Sequence, residues 1–348
     1  MVVAAPLLAA LLFAACREEN PEPPQPVRAV AGAPRPPVIV TVAAFSTMGE
    51  VFRTKILPGA KALHRARREG DLRFVELYQA SGLLRHAIMS GFAADVGVFS
   101  HAEDVDRLVE AGFVQPAWRS APYGSILGRT LVVLAVRKDD PKGIRDWSDL
   151  ARPGVEVVTP DPRTSGGGMW NACAIYGAAL RGHAGVPAGD HGAALAFLAR
   201  VLANVKDFHH SAHDSFRAFC DGRGDVAITY ESEVVQGWNF GERVQRVVPR
   251  STLVVESPAV LLTKNDADPA VRAAAVELLQ YLWSEETQGR LAFHGLRPVV
   301  PEVAARTASQ FPEPEDAWTI GALGGWERAV REILAPAGLS RAEPAPGK

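Results

Sequence analysis

The chain has 348 residues, 37 basic and 39 acidic, for a formal net charge of −2. So even a balance argues against nucleic acid or an anionic membrane surface as the main partner. Hydrophobic residues make up 47% of the chain, and its length exceeds the usual size of a single core, which predicts two lobes.

Residues 2–15 form an apolar run too short to span a bilayer as a helix, ending in Leu12-Phe13-Ala14-Ala15-Cys16. Small residues before a single Cys read as a secretory signal over residues 1–15. The stretch Phe13-Ala14-Ala15-Cys16 resembles a bacterial lipobox, which makes Cys16 the lipidated first residue of a chain anchored to a membrane in the cell envelope. Residues 16–37 are proline-rich and read as a semi-extended tether. No later segment is long and apolar enough to be transmembrane.

From residue 38 strands and helices alternate, the pattern of α/β architecture. Strands are expected over 38–44, 72–78 and 94–99. The first runs into a loop with Ser46 and a helix over 49–68, the second into Ser81 and a helix from residue 83. Further strands are expected over 130–137 and 155–159. The latter leads into Thr164-Ser165-Gly166-Gly167-Gly168-Met169-Trp170-Asn171 and then a helix to residue 180. Such a turn leaves backbone N–H groups unpaired at the positive end of a helix dipole, with no Cβ to keep an anion away. A glycine turn that only lets strand and helix pack closely has the same sequence.

Next comes His209-His210-Ser211-Ala212-His213-Asp214, a donor set that Zn²⁺ also accepts. Asp214 precedes an apolar-periodic segment with Phe216 and Phe219, and so reads as a helix N-cap. A strand over 224–230 ends at Tyr230, with Glu231 expected on the opposite face. The chain returns to β at 253–255 and 259–262 before an amphipathic helix over 269–284. Ser46, Ser81 and Ser165 all lie where a strand's C-terminal end hands over to a helix, the place where ligands collect in open α/β sheets. Ser46 and Ser81 also suit a role as helix caps alone. Cys173 and Cys220 are compatible with a disulfide or with two buried thiols. Neither Gly-x-Ser-x-Gly nor His-Glu-x-x-His occurs, so no catalysis is expected.

The run Asp139-Asp140-Pro141-Lys142-Gly143-Ile144-Arg145-Asp146-Trp147-Ser148-Asp149-Leu150, with Arg152-Pro153-Gly154-Val155 and the stretch from Thr159 to Asn171, closely resembles the periplasmic sulfate- and thiosulfate-binding proteins of ABC importers. Supporting matches lie at Ser211-Ala212, Tyr230-Glu231-Ser232-Glu233, Arg297-Pro298 and Gly324-Gly325-Trp326. The resemblance implies a two-lobed type II periplasmic binding protein fold of the α/β class. Lobe one would comprise residues 38–122 plus 255–335 and lobe two residues 123–254, followed by a flexible tail over 336–348. It also implies a tetrahedral oxyanion held in the cleft by neutral donors from Ser81, Ser165, Gly166, Gly167 and Ala212. Ser46 stands where sulfate binders have Asp and Tyr230 where they have Trp; these two positions resemble molybdate- and tungstate-binding proteins instead. His213 stands where the family usually has Arg.

A fully ionised dianion needs only donors, whereas phosphate keeps a proton and benefits from an acceptor. A cage of neutral donors is also expected to bind with little change between about pH 6 and 8, a window in which histidine titrates. The implied partners are sulfate or a similar oxyanion and an inner-membrane ABC permease. No cofactor is implied, and the protein is expected to be a monomer. Alternatives are a molybdate or tungstate binder, a metal-binding protein, and an oxyanion sensor lobe feeding a membrane receptor.

Overall fold

Apolar and β-branched residues make Val38–Phe45 the first strand (β1) of a computed structural model that describes residues 36–67, 70–263 and 268–340. The signal segment, Cys16, nearly all of the tether, and residues 341–348 lie outside the described residues. The other strands are β2 (Leu72–Gln79), β3 (Val96–Val98), β4 (Ile126–Arg137), β5 (Val157–Pro160), β6 (Val205–His209), β7 (Val226–Tyr230), β8 (Val244–Val247), β9 (Ser251–Leu261), β10 (Arg297–Pro298) and β11 (Asp316–Trp318).

Their spatial order is β2-β1-β3-β9-β4-β7-β5-β6, with β8 and β10 on β4 and β11 on β9. Two parallel groups result, β2-β1-β3 and β7-β5-β6. They are joined by the long antiparallel pair β4 and β9, in which Ile126 to Leu131 lies against Pro258 to Val254. The far half of β4 pairs with β7, and the last three residues of β9 pair with β3. β9 thus extends the first group and β4 the second, and their shared ladder joins the two. Helices cover the faces, so the parallel strands are buried and read as apolar runs.

Besides strands β6, β8, β10 and β11, which the sequence did not suggest, the elements depart from the sequence reading in several instructive places. The two segments expected at 253–255 and 259–262 are one strand, β9, although Pro258 lies inside it. Proline lacks a ladder donor, but Pro258 sits where β9 changes partners, and its carbonyl accepts from the Phe99 N–H at 2.9 Å. The first helix runs as Gly49–Val51, a π turn Phe52–Ile56, then Leu57–Arg67. Pro58 cannot donate to the carbonyl four residues back, and the ladder loosens just ahead of it. The helix after β5 starts at Gly166, so the three glycines form its first turn. Finally, residues 336–340 continue the folded body, with Leu339 buried in the main core.

That core draws on both strand groups. Trp147 is fully buried, and its indole N–H donates to the Ser251 carbonyl at 2.8 Å. Trp318 donates to the Ser251 hydroxyl at 3.0 Å. The start of β9 is thus pinned from two sides. Cys173 and Cys220 are free thiols, the first buried and the second half-buried. Burial pushes each up to about 12.

Candidate functional site

The two parallel groups run in opposite senses, because three antiparallel pairings separate β3 from β7, and each of their six strands hands over to a helical turn at its C-terminal end. After β1, Ser46 opens the 3-10 turn Ser46–Met48; it is half-buried, and the helix that follows is preceded by Met48, with no side-chain cap. After β2, Ser81 is the first residue of the helix Ser81–Met89 and caps nothing. Its hydroxyl donates to Asp104 Oδ2 at 2.6 Å and accepts from the Ser100 N–H at 3.1 Å. Asp104 also accepts from Arg85 Nε at 2.9 Å and lies 3.2 Å from His101 Nε2. The proton expected to face a ligand is therefore held by a buried carboxylate.

Ser165 follows β5 as the N-cap of Gly166–Leu180, its Oγ accepting from the Gly167 N–H at 3.1 Å. That bond leaves the hydroxyl proton for another acceptor. A Cβ on Gly166 would sit 2.3 Å from Ser100 Oγ, and one on Gly167 would be 3.0 Å from the Ala212 Cβ. The glycine turn thus closely approaches both the loop after β3 and the helix after β6. A Cβ on Gly168 would fall within 2.6 Å of the Pro160 carbonyl oxygen, so the third glycine serves packing. The close-packing reading of the Gly-Gly-Gly run holds at Gly168.

The helix Ala212–Cys220 is capped by Ser211, not by Asp214. Ser211 Oγ accepts from the Asp214 N–H at 3.1 Å and its hydroxyl lies 2.7 Å from Asp214 Oδ2, so the aspartate sits one turn in, where its charge still meets the positive helix end. Gly166 and Ala212, as first residues of their helices, have N–H groups with no partner inside the helix. Among the described residues no three His, Cys, Asp or Glu side chains converge as metal ligands.

Tyr230 ends β7 and is 2% exposed; its buried hydroxyl lies near the Ser100 side chain but makes no well-formed hydrogen bond among the described residues. Burial pushes this phenol well above its ordinary value, so it remains a neutral O–H donor. Glu231 turns away, as expected. It is fully buried and paired with Arg297 Nε at 2.6 Å and with Arg246 at 2.9 Å.

A cavity of 460 Å³ opens beside these turns. Of the expected site residues it is lined by Ser46; Ser81, Ser165, Gly166, Gly167, Ala212 and Tyr230 are buried. Other cavity-lining residues are Thr47, Ser211, His213 and Gln236. The buried atoms Thr47 Oγ1, Ser100 Oγ and Gln236 Nε2 lack hydrogen-bond partners. None of these three was singled out from sequence. Ser100 carries the signal that marked Ser46 and Ser81, a serine at the exit of a buried strand; Gln236 lies inside a helix and carries none.

A model of the bacterial extracellular solute-binding protein family matches residues 40–297. The sulfate-binding protein of Synechocystis sp. is 31% identical over 310 residues, covering 88% of this chain and 86% of the relative. The thiosulfate-binding protein of Pseudomonas aeruginosa is 32% identical over 251 residues, covering 71% and 74%. Among solved structures, the sulfate-binding protein SubI from Mycobacterium tuberculosis H37Rv superposes with a TM-score of 0.76 at 32% identity, covering 85% of this chain and 99% of that one.

Proposed function

Because this chain belongs to the bacterial extracellular solute-binding protein family, we propose that it binds sulfate or thiosulfate in the cell envelope and delivers it to an ABC permease. It is a binding protein and not an enzyme. The observation that carries the ligand class is the meeting of two helix amino ends, at Gly167 and Ala212, together with a buried phenol at the end of β7 that makes no well-formed hydrogen bond among the described residues. Helix amino ends and neutral hydroxyls suit a proton-free anion.

In this reading the cage comprises Ser46, Ser81, Ser165, Gly166, Gly167, Ala212 and Tyr230. Ser165 and Tyr230 donate side-chain protons, Gly166 and Ala212 donate backbone N–H groups, and Ser81 turns its proton from Asp104 to the anion. The lobes are residues 38–122 plus 255–335 and residues 123–254, hinged on the ladder between β4 and β9. The protein acts as a monomer tethered through lipidated Cys16. Cys16→Ser should then abolish globomycin-sensitive processing and membrane association.

The deciding experiment is a calorimetric panel of sulfate, thiosulfate, molybdate, tungstate, phosphate and ferric ion on the mature protein. Sulfate or thiosulfate should bind tightest. Binding of none, or of ferric ion alone, overturns the reading.

A further inference from the structure

The oxyanion site has a neighbour that its neutral donors do not explain. Glu233 is 2% exposed on the helix Glu231–Asn239, and its Oε2 is buried without a hydrogen-bond partner. The nearest cation is the imidazole of His213, whose Nδ1 lies 3.7 Å from that oxygen. His213 follows Ala212 directly, and Glu233 lies three residues after Tyr230, so the pair links two turns that carry proposed anion donors. A buried carboxylate oxygen without a well-formed hydrogen bond is costly, and a cation beside it offsets that cost.

We propose that His213 is a positioning residue for anion capture: as an imidazolium it neutralises buried Glu233, holds the helix ends at Ala212 and Glu231 in register, and makes oxyanion affinity fall as the pH rises, where neutral donors alone would bind evenly. The proposal rests on the oxyanion reading above. A bound dianion near the Ala212 N–H is a second negative neighbour for the imidazolium, so binding also favours proton uptake.

The groups around His213 support the cationic form. His213 is itself exposed on one side, and Glu233 lifts its imidazole above the ordinary value against partial desolvation; Asp214 on its own helix acts in the same direction, while Arg217 opposes it. Glu50 and Arg53, from the first helix, line the same cavity with opposite charges, and His210 lies on the same rim. An adjoining cavity brings Glu242 and Cys220 close, the second a neutral thiol because burial pushes it up to about 12. Because the folded value is raised, the imidazolium is complete below the ordinary histidine range and is lost as the pH climbs through the raised value.

The test is sulfate affinity by calorimetry between about pH 6 and 8.5, a range in which sulfate does not titrate, for the parent, His213→Arg and His213→Gln. A binding-induced rise of half to one pH unit corresponds to about a three- to tenfold loss of parental affinity across that range. His213→Arg should bind tightly with no slope. His213→Gln should stay at the parent's high-pH level throughout. Calorimetry in two buffers of different ionisation enthalpy should show proton uptake by the parent and none by either variant. A flat parental profile, or a slope that persists in His213→Arg, overturns the inference and leaves the oxyanion reading intact. A parent that binds no oxyanion at any pH overturns both.

Discussion

At the scale of single residues, Ser165 and Tyr230 separate ligand contact from support of the fold. Ser165 Oγ accepts from the Gly167 N–H while its proton remains available, so Ser165→Ala removes a helix cap and an anion donor together. Loss of the cap costs about 1 kcal/mol of stability. Loss of a hydrogen bond to a charged acceptor costs about 1.5–3 kcal/mol, or roughly ten- to a hundredfold in affinity. Denaturant unfolding and calorimetry on Ser165→Ala should show both, and unchanged affinity would refute the cradle. Tyr230→Phe should behave differently. The hydroxyl is buried without a well-formed hydrogen bond, so its removal should leave the ligand-free protein as stable as the parent or about 1 kcal/mol more stable, while sulfate affinity falls. A loss of stability in the free protein would mean that the hydroxyl serves the fold. Gly166 is a poorer probe, because any Cβ there strikes Ser100 and His101 before an anion is involved.

At the scale of elements, much of the recognisable sequence builds the frame around the cleft. Asp146 caps the turn Trp147–Ala151, Trp147 pins the first carbonyl of β9, and Arg297 of β10 reaches Glu231 at the end of β7. Glu231 is fully buried between Arg297 and Arg246, so Glu231→Ala leaves Arg246 without a carboxylate and Arg297 with Glu313 alone, and should cost about 3 kcal/mol. Thermal unfolding should show it as a fall in Tm without ligand, and an unchanged Tm would place the triad among inert ion pairs. The same comparison explains what was legible in sequence. Handovers from apolar strands to serine or glycine turns are local patterns, so Ser46, Ser81 and Ser165 stand out. The Ser81 to Asp104 bond joins residues 23 apart, and the continuity of β9 across Pro258 depends on its change of partners, so neither has a local signature. Asp214 misled because an aspartate before an apolar helix is a sound cap signal; Ser211, three residues earlier, takes that place and turns the aspartate into its partner.

At the scale of the whole molecule, the two strand groups meet through close approaches that place polar atoms out of water. Ser100 lies against Gly166, and the turn Ser46–Met48 packs on the helix Ala212–Cys220. This arrangement buries Thr47 Oγ1 and Ser100 Oγ from one group, and Tyr230 Oη and Gln236 Nε2 from the other, without well-formed hydrogen bonds among the described residues, although Ser100 and Tyr230 are neighbours. Each such group costs about 1–3 kcal/mol, so four of them oppose the closed form by several kcal/mol unless an acceptor enters. A dianion among them provides that acceptor. The ladder between β4 and β9 is the only β pairing, among the described residues, that joins the two parallel groups, so opening can occur there while each group keeps its own sheet. The expected outcome is a free protein that is wider in solution and contracts when sulfate binds, because only the bound state satisfies donors from both groups. Small-angle scattering with and without saturating sulfate should show a smaller radius of gyration with ligand. In the same samples, sulfate at about a hundred times its Kd should add about 2.7 kcal/mol of stability. Stabilisation without contraction would mean that the cleft is already closed in the free protein, and that the four unpartnered atoms are satisfied there by water.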